Sequence, residues 1–115
     1  MNPKKGFEVR YLEDAIQFLN SLDIKVRDKI LYDIMKSQYE VNNELLKKLT
    51  NNIWEFRTRY QGMAYRLLAF WDNNTKALVV ATHGFIKKKQ KTPSNEIKRA
   101  EESHSILPLK RMSEH

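Results

Sequence analysis

The sequence predicts a small α+β domain in which a meander of antiparallel strands supports three helices. Residues 53–86 contain three runs rich in aromatic and β-branched residues, separated by short turn-forming segments, as in a strand meander. Residues 12–39 instead carry apolar residues at spacings of three and four, which is typical of amphipathic helices. A chain of 115 residues can bury one modest core. We therefore expect a single domain over residues 1–103 and a mobile tail over 104–115.

The elements are predicted to follow one another in the order β-α-α-β-β-β-α. The predicted bounds are 7–11 for the first strand, 12–22 and 24–39 for the helices, 53–59, 63–71 and 76–86 for the meander strands, and 92–103 for the last helix. The pattern of residues 40–52 is weaker and predicts a turn of helix or an ordered loop. The two central helices share one apolar seam, so we expect a helical hairpin on one face of a sheet of about four antiparallel strands. The other face is expected to stay partly open.

Composition excludes several classes of protein. The chain has no cysteine, which excludes disulfides, thiolate metal sites and a cysteine nucleophile and fits a reducing compartment. Its apolar runs are too short to span a membrane, and its basic N-terminus is not followed by the apolar segment of a secretory signal. We therefore expect a cytoplasmic protein that does not engage a membrane.

Positive charge is concentrated in the meander. Residues 53–93 contain eight Lys or Arg and two acids, a net charge of +6, while the whole chain carries +7. The remaining residues, with 13 basic and 12 acidic side chains, are close to neutral. A basic field on a rigid set of strands indicates a polyanionic partner, although charge alone does not distinguish nucleic acid from other acidic surfaces.

Four short motifs occur in the order found in a known family. They are Ile-Trp-Glu-Phe-Arg at 53–57, Tyr-Arg-Leu-Leu at 65–68, His-Gly-Phe at 83–85, and Lys-Lys-Lys-Gln-Lys-Thr-Pro at 87–93 with Glu96-Ile97 after it. In these motifs the sequence resembles the HigB-like, phage-derived branch of the RelE/ParE toxin superfamily, over roughly residues 7–102. The resemblance implies a RelE-like fold and a toxin of a type II toxin–antitoxin pair. It also implies a cognate antitoxin, expected to be a small helix-turn-helix protein.

The resemblance further implies an activity, the cleavage of mRNA on the ribosome, which inhibits translation. In RelE-type members the arginine of the Tyr-Arg motif helps to stabilise the charged transition state, and it corresponds to Arg66. Basic residues that contact RNA phosphates in the family correspond to Arg57, Lys87, Lys88 and Lys91. The family's C-terminal catalytic tyrosine has no counterpart, because this sequence contains no tyrosine after Tyr65. The resemblance therefore leaves the general base unidentified.

Arg66 is the first candidate for catalysis. Cleavage through the 2′-hydroxyl needs a proton acceptor, a proton donor and positive charge at the phosphorane, and a permanently charged, forked guanidinium meets the last need. Strand alternation places Arg66 among apolar neighbours, so a structural ion pair with Glu55 or Asp72 would also explain its position. Replacement of Arg66 by alanine is expected to abolish activity and leave the fold intact.

Glu55 lies on one strand face with Arg57 and Arg59, by the period of two that strands follow. This carboxylate is a candidate general base, and the two arginines are candidates for phosphate contact. Three charged residues at alternate positions are also what a solvated strand face contains, and that interpretation stays open.

His83 titrates near neutrality, with an unperturbed pKa of roughly 6.5, and is a candidate acid or base. Strict alternation would place it on one face with Val79, Ala81 and Phe85. A histidine on an apolar face is more often a buried structural residue than a catalytic one.

A basic segment follows the last meander strand. It consists of Lys87, Lys88, Lys89 and Lys91, and it precedes a helix N-terminus, which itself favours anions. This position favours phosphate binding over a merely solvated loop. Lys91 is in addition a candidate acid or base, because like-charged neighbours make a lysine easier to deprotonate.

Neither a metal site nor another cofactor is expected. The meander contains two acids and one histidine amid eight basic residues, which would repel a divalent cation. The alternative function is that of a binding protein without chemistry, either a ParE-like inhibitor of DNA gyrase or an RNA-binding module.

Overall fold

Five strands form one twisted sheet that is covered by helices on both faces. The computed structural model describes residues 4–88 and 90–113, with side chains as far as Ile106. In chain order the elements are β1 (Glu8–Tyr11), α1 (Glu13–Ser21), α2 (Ile24–Tyr39), β2 (Leu46–Lys48), β3 (Ile53–Tyr60), β4 (Met63–Trp71), β5 (Leu78–Lys87) and α3 (Ser94–Ser113). The predicted α+β class, the helical hairpin and the three-stranded meander are confirmed.

The sheet differs from the prediction in two details. Its strand order is β1-β5-β4-β3-β2, and β1 runs parallel to β5, so the sheet is mixed rather than wholly antiparallel. The additional strand β2 lies in the segment that was predicted as a turn of helix or a loop, and it pairs with Trp54, Glu55 and Phe56 of β3. A three-residue strand is too short to show the period of two, so only its pairing with β3 reveals it.

Helices α1 and α2 cover one face of the sheet. Their apolar sides meet the alternate residues of the strands in a core formed by Phe7, Ala15, Leu19, Ile30, Ile34, Phe56, Tyr65, Leu67, Ala69, Val79 and Ala81. The hydroxyl of Thr58 on β3 donates a hydrogen bond of 2.9 Å to Asp33 Oδ2, which ties α2 to the sheet. Of the helices that the structure describes, none is long and apolar enough to cross a membrane.

Helix α3 covers half of the opposite face, which was expected to stay partly open. Ile97 and Ala100 pack against the second core, formed with Ile53, Leu68, Phe70, Leu78 and Val80. The helix continues to Ser113, beyond the predicted end at Ser103, and the His104 ring lies 4.8 Å from that of Phe70. The end at Ser103 is therefore wrong, because this contact stabilises a further turn. The mobility predicted for residues 104–115 stays a prediction, and its last two residues lie outside the described ones.

The turn between β3 and β4 is the tight hairpin that the sequence predicts. Gln61 and Gly62 both have positive φ, 48° and 79°, as a two-residue turn that matches strand twist requires. The connection between β4 and β5 is longer, and within it the Asp72 side chain accepts a hydrogen bond from the backbone N–H of Asn74. Only the first of the two predicted hairpins is therefore tight.

A β-bulge in β5 changes which residues face which helix. Leu68 pairs with His83 and Ala69 pairs with Ala81, so Thr82 is the extra residue, and its hydroxyl donates to the Leu68 carbonyl at 3.3 Å. The bulge turns His83 to the α3 face of the sheet. The prediction that His83 shares a face with Val79 and Ala81 is therefore wrong, because strict alternation does not hold across the bulge.

Gly84 allows α1 to approach the sheet closely. A Cβ atom at this position would lie 2.1 Å from Cδ2 of Phe18 on α1 and 2.7 Å from Cδ1 of Leu67 on β4. Both distances are far below van der Waals contact, so no side chain fits unless the helix moves. The glycine of the His-Gly-Phe motif is thus explained by packing.

We predict that Gly84→Ala lowers the free energy of unfolding by about 1 to 3 kcal/mol, because it overpacks the junction of α1 and β5. Urea unfolding followed by circular dichroism measures the change. In a Phe18→Ala background the same substitution should cost less, because the contacts with the Phe18 ring are gone and only the one with Leu67 remains. Equal costs in the two backgrounds would show that the clash with Phe18 is not the cause.

Candidate active site

The register of β3 and β4 gathers the candidate residues on the α3 face of the sheet. Arg57 lies directly opposite Arg66, and Glu55 is two residues before Arg57 on the same face. Lys87 pairs with Ala64, next to Arg66 on that face. Helix α3 covers the half of the face that carries Leu68 and Phe70. The other half of the face, which carries Arg57, Arg66 and Lys87, is not covered by α3.

Glu55 holds two arginines together. Its Oε1 lies 3.2 Å from Arg66 Nε and 3.5 Å from Arg57 Nε, and its Oε2 accepts a hydrogen bond from the Thr92 hydroxyl. Both Nε contacts are ion pairs whose geometry does not meet that of a hydrogen bond. Arg66 also donates from Nη1 to the Tyr65 carbonyl at 3.0 Å. Because Glu55 and Arg66 are only 1% and 3% exposed, this is a buried ion pair, in which the loss of one partner is costly.

The surroundings also perturb two cationic groups. Burial lowers the pKa of Arg66, and the Glu55 carboxylate opposes that shift. Burial and the neighbouring cations Arg66, Arg57 and Lys47 lower the pKa of Lys87, again against the influence of Glu55. Lys87 therefore gives up a proton more readily than an ordinary lysine.

These residues border a surface cleft of about 530 Å³, here named the β-cleft. It lies beside the β3–β4 hairpin, and its basic lining residues are Arg57, Arg59, Arg66, Lys87 and Lys88. Its other lining residues are Gly62, Met63, Ala64 and Gln90. Among the described residues, the lining thus contains five cations and no acid, which suits a phosphate-bearing ligand.

The remaining sequence candidates lie elsewhere. Lys91 is exposed on the segment before α3 and is not among the described residues that line the β-cleft. Lys89 lies outside the described residues. Glu55 is beneath the arginines rather than on the cleft surface. The structure thus brings together Arg57, Arg59, Arg66, Lys87 and Lys88, but neither Lys91 nor His83 joins them.

His83 is buried beneath α3. Its Nδ1 lies 3.0 Å from the Thr82 hydroxyl and its Nε2 lies 3.3 Å from Glu96 Oε1. Burial and the nearby Arg99 lower the pKa of His83 below its ordinary value of 6.5, although Glu96 and Asp14 oppose the shift. These contacts give the imidazole a structural role in attaching α3 to β5.

Two residues of the site were not predicted from the sequence. The last helix was predicted to begin at Thr92, but α3 begins at Ser94 and the Thr92 hydroxyl donates to Glu55. Lys47, on the short strand β2, lies opposite Glu55 in the register of β2 and β3. No periodicity indicates either contact, because each joins segments whose proximity depends on the tertiary fold.

The described residues contain no group of three or more His, Asp or Glu side chains that could hold a metal ion. The chemistry available at the β-cleft is therefore that of arginine, lysine and a buried carboxylate. Such a set can bind a phosphodiester, neutralise charge that develops on it and exchange a proton.

This fold and this cationic face define the class of protein. The fold is that of the RelE toxins: it matches an arginine-to-alanine double variant of Escherichia coli toxin RelE in the free state, with a TM-score of 0.61, 15% identity, and coverage of 85% of this chain and 97% of that chain. It also matches a chain of the toxin–antitoxin complex RelBE2 from Mycobacterium tuberculosis, with a TM-score of 0.53, 18% identity, and coverage of 71% and 99%.

Residues 17–104 match the family described as "Phage derived protein Gp49-like", and the chain belongs to that family. No curated protein matches the sequence significantly. The phage-derived origin that the resemblance implies and the expected RelE-like fold are confirmed.

We predict that His83 makes stability depend on pH. Because its folded-state pKa is lowered, the unfolded chain takes up a proton first, so stability should fall as the pH drops below about 6.5. The titration of His83 can change the free energy of unfolding by at most about 1.4 kcal/mol per pH unit. Urea unfolding at several pH values should show a steeper loss for the wild type than for His83→Gln, which cannot titrate. Parallel pH profiles would contradict the assignment.

We also predict that Arg66→Ala destabilises the fold, contrary to the expectation from sequence that it would not. The substitution leaves Glu55 buried without its nearest cation and should cost about 3 kcal/mol, the lower end for a broken buried pair, since Arg57 stays nearby. Urea unfolding measures the loss. The double variant Glu55→Gln/Arg66→Ala should cost less than the sum of its parts. Arg59→Ala, at an exposed position, is the control and should change stability by at most about 0.5 kcal/mol.

Proposed function

We propose that this chain is the toxin of a type II toxin–antitoxin pair and that it cleaves mRNA without a metal. The observation that carries the proposal is the β-cleft, where five basic side chains and no acid line the surface above the buried Glu55–Arg66 pair. The RelE-like fold and the membership of a phage-derived family support the assignment to a toxin. We expect the HigB-like activity implied by the sequence, which is the cleavage of ribosome-bound mRNA in the cytoplasm and the inhibition of translation.

The proposed reaction is an in-line displacement at phosphorus. The 2′-oxygen attacks the adjacent phosphorus, the bond to the 5′-oxygen breaks, and the products carry a 2′,3′-cyclic phosphate and a 5′-hydroxyl. Arg57 and Lys87 are partly exposed and suit direct contact with the phosphoryl oxygens, while the deeply buried Arg66 adds positive potential at the base of the cleft. Positioning and charge neutralisation are then the main contributions to catalysis.

Lys87 is the group best suited to proton transfer. Its lowered pKa makes the neutral amine more accessible, so it can accept the proton of the 2′-hydroxyl and then, as an ammonium, contact the phosphoryl oxygens. The departing 5′-oxygen takes its proton from water. Glu55 is engaged by Arg66, Arg57 and the Thr92 hydroxyl, which favours a positioning role over the role of general base. The exposure of Lys91 and the burial of His83 likewise make them weaker candidates than Lys87.

The proposed partner is a cognate antitoxin, expected to be a small helix-turn-helix protein. RelBE2, which has the same fold, forms a toxin–antitoxin complex. The outer side of α2 carries a row of exposed large apolar residues, namely Ile24, Leu31, Tyr32, Met35 and Tyr39. They lie opposite the buried side of the helix, and such a row is typical of a surface that a partner covers.

One observation favours the alternative function, a binding protein without chemistry. Arg66 is only 3% exposed and is already paired with Glu55, so a substrate phosphate has little access to it. A gyrase inhibitor or an RNA-binding module would need the basic surface but no reactive group. This alternative predicts that RNA is bound but never cut.

We predict that cleavage depends on the RNA 2′-hydroxyl. An isolated RNA with a single 2′-deoxy nucleotide on the 5′ side of the cut should bind as before and stay intact, because its nucleophile is missing. The assay uses protein in excess over isolated RNA, with and without a chelator, and maps the product ends. Cleavage of the deoxy-substituted RNA, or products that carry a 5′-phosphate, would contradict the mechanism. Binding without any cleavage, on ribosomes or in isolation, would support the alternative.

We further predict that Arg57→Ala lowers the cleavage rate by about 100-fold or more, as expected when one charged donor to the phosphorane is lost. Single-turnover kinetics at saturating protein separates this effect from weaker binding. Lys76→Ala is the matched control, since this exposed lysine lies in the β4–β5 connection and does not line the β-cleft. An unchanged single-turnover rate for Arg57→Ala would remove Arg57 from the proposed site.

A further inference from the structure

A second basic cleft lies beside the first and shares three arginines with it. This α2-cleft has a volume of about 510 Å³ and extends from Arg57, Arg59 and Arg66 towards helix α2, which contributes Lys29 and Lys36. The sequence showed no concentration of charge in α2, since residues outside the meander are close to neutral overall. Only the fold places these two lysines next to the arginines of the β-cleft.

The α2-cleft exists because β2 is short and begins only at Leu46, opposite Phe56. This strand pairs with β3 no further than Phe56, and the last backbone hydrogen bond of the segment runs from Arg57 N–H to the Leu45 carbonyl. Among the described residues, none extends the ladder beside Thr58, Arg59 and Tyr60. The outer edge of β3 therefore faces a gap between α2 and the segment before β2, and the arginine side chains border this gap.

One lysine of the α2-cleft, Lys29, is held in place by side-chain contacts. Lys29 Nζ lies 3.0 Å from Asp33 Oδ1, and the other oxygen of this buried carboxylate accepts the Thr58 hydroxyl. The ammonium also lies 5.6 Å from the centre of the Tyr32 ring. These contacts orient Lys29 at the mouth of the α2-cleft.

Positive charge dominates the α2-cleft. Five basic residues line it, against the acids Asp33 and Glu44, and Asp33 is already engaged by Lys29 and Thr58. Lys36 has only a loose pair with Glu40 at 3.8 Å, and both side chains are about half exposed, so water screens that pair strongly. The lining thus carries more positive than negative charge, which favours the entry of an anion.

We propose that the α2-cleft binds a second stretch of the RNA backbone, so that one single strand crosses the edge of β3 from the β-cleft to Lys29 and Lys36. RNA is chosen as the polyanion on the basis of the proposed function. Two basic clefts that meet at shared arginines suit an extended chain of phosphates better than one isolated phosphate. Lys29 and Lys36 are then binding residues that hold the strand on one side of the reacting bond, while Lys87 and Lys88 hold it on the other.

The test compares Lys29→Gln/Lys36→Gln with wild type in binding to RNA oligonucleotides of about 4 and about 16 nucleotides, the limits of typical single-strand sites. Each oligonucleotide carries a 2′-deoxy nucleotide at the cut, and fluorescence anisotropy gives the affinity at several salt concentrations. For the long RNA, the slope of log affinity against log salt should become shallower by about 1.4, or about 0.7 per lost phosphate contact. The short RNA, which occupies only the β-cleft, should bind both proteins equally.

Two control variants keep the result interpretable. Lys25→Gln/Lys76→Gln removes the same charge from exposed positions that line neither cleft, and it should leave the salt slope unchanged. Lys36→Gln alone removes an exposed lysine that forms a loose ion pair with Glu40, so this variant should retain the fold. It should show about half of the change in slope. Circular dichroism confirms the folding of each variant.

The α2-cleft proposal and the proposed function can fail separately. A wild-type salt slope in a folded Lys29→Gln/Lys36→Gln variant that still cleaves RNA would overturn the α2-cleft and leave the function standing. A shallower slope in a protein that never cleaves RNA would support the strand path and overturn the chemistry. If the variant loses affinity for the antitoxin while its RNA salt slope stays unchanged, the occupant is an acidic protein segment, and the RNA path is wrong.

Discussion

The buried pair of Glu55 and Arg66 is the constraint on which the functional face depends. The pairing of β3 with β4 puts Arg57 directly opposite Arg66, an arrangement of like charges that is unfavourable by itself. Glu55 lies on the same face and contacts both guanidinium groups, so a single carboxylate makes this arrangement stable. The Thr92 hydroxyl binds the other oxygen of Glu55 and thereby fixes the start of the segment that leads into α3.

This constraint explains how a basic surface can be both dense and ordered. Arginines and lysines on a free surface repel one another and stay mobile, whereas here one acid is buried beneath them. The cleft lining can then consist of cations alone, while the ion pair lowers the cost of bringing them together. The lowered pKa of Lys87 is a consequence of its partial burial and of the same crowding. The stability of this cluster and the lowered pKa of Lys87 therefore depend on the same neighbouring charges.

The opposite end of the same face is organised by the bulge at Thr82. By adding one residue to β5, it directs His83 towards α3, where the imidazole meets Glu96. The neighbouring Gly84 permits the close approach of Phe18 from the other side of the sheet. The histidine and the glycine of the His-Gly-Phe motif thus both contribute to the packing of helices, one on each face of the sheet. Solved structures with 15% and 18% identity to this chain have the same fold, so the fold tolerates extensive change in sequence.

The sequence by itself determined the α+β class, the helical hairpin, the meander and the sign of the functional surface, because these follow from local periodicity and from the position of charges along the chain. It also singled out Arg57, Arg66 and Lys87, which the fold brings to one cleft. The tertiary structure alone decided that β1 is parallel to β5, that β2 exists and that His83 faces α3, since pairing and register are not local properties. It also decided that Lys29 and Lys36 lie beside the arginines, because their distance along the chain carries no information about their distance across an open strand edge.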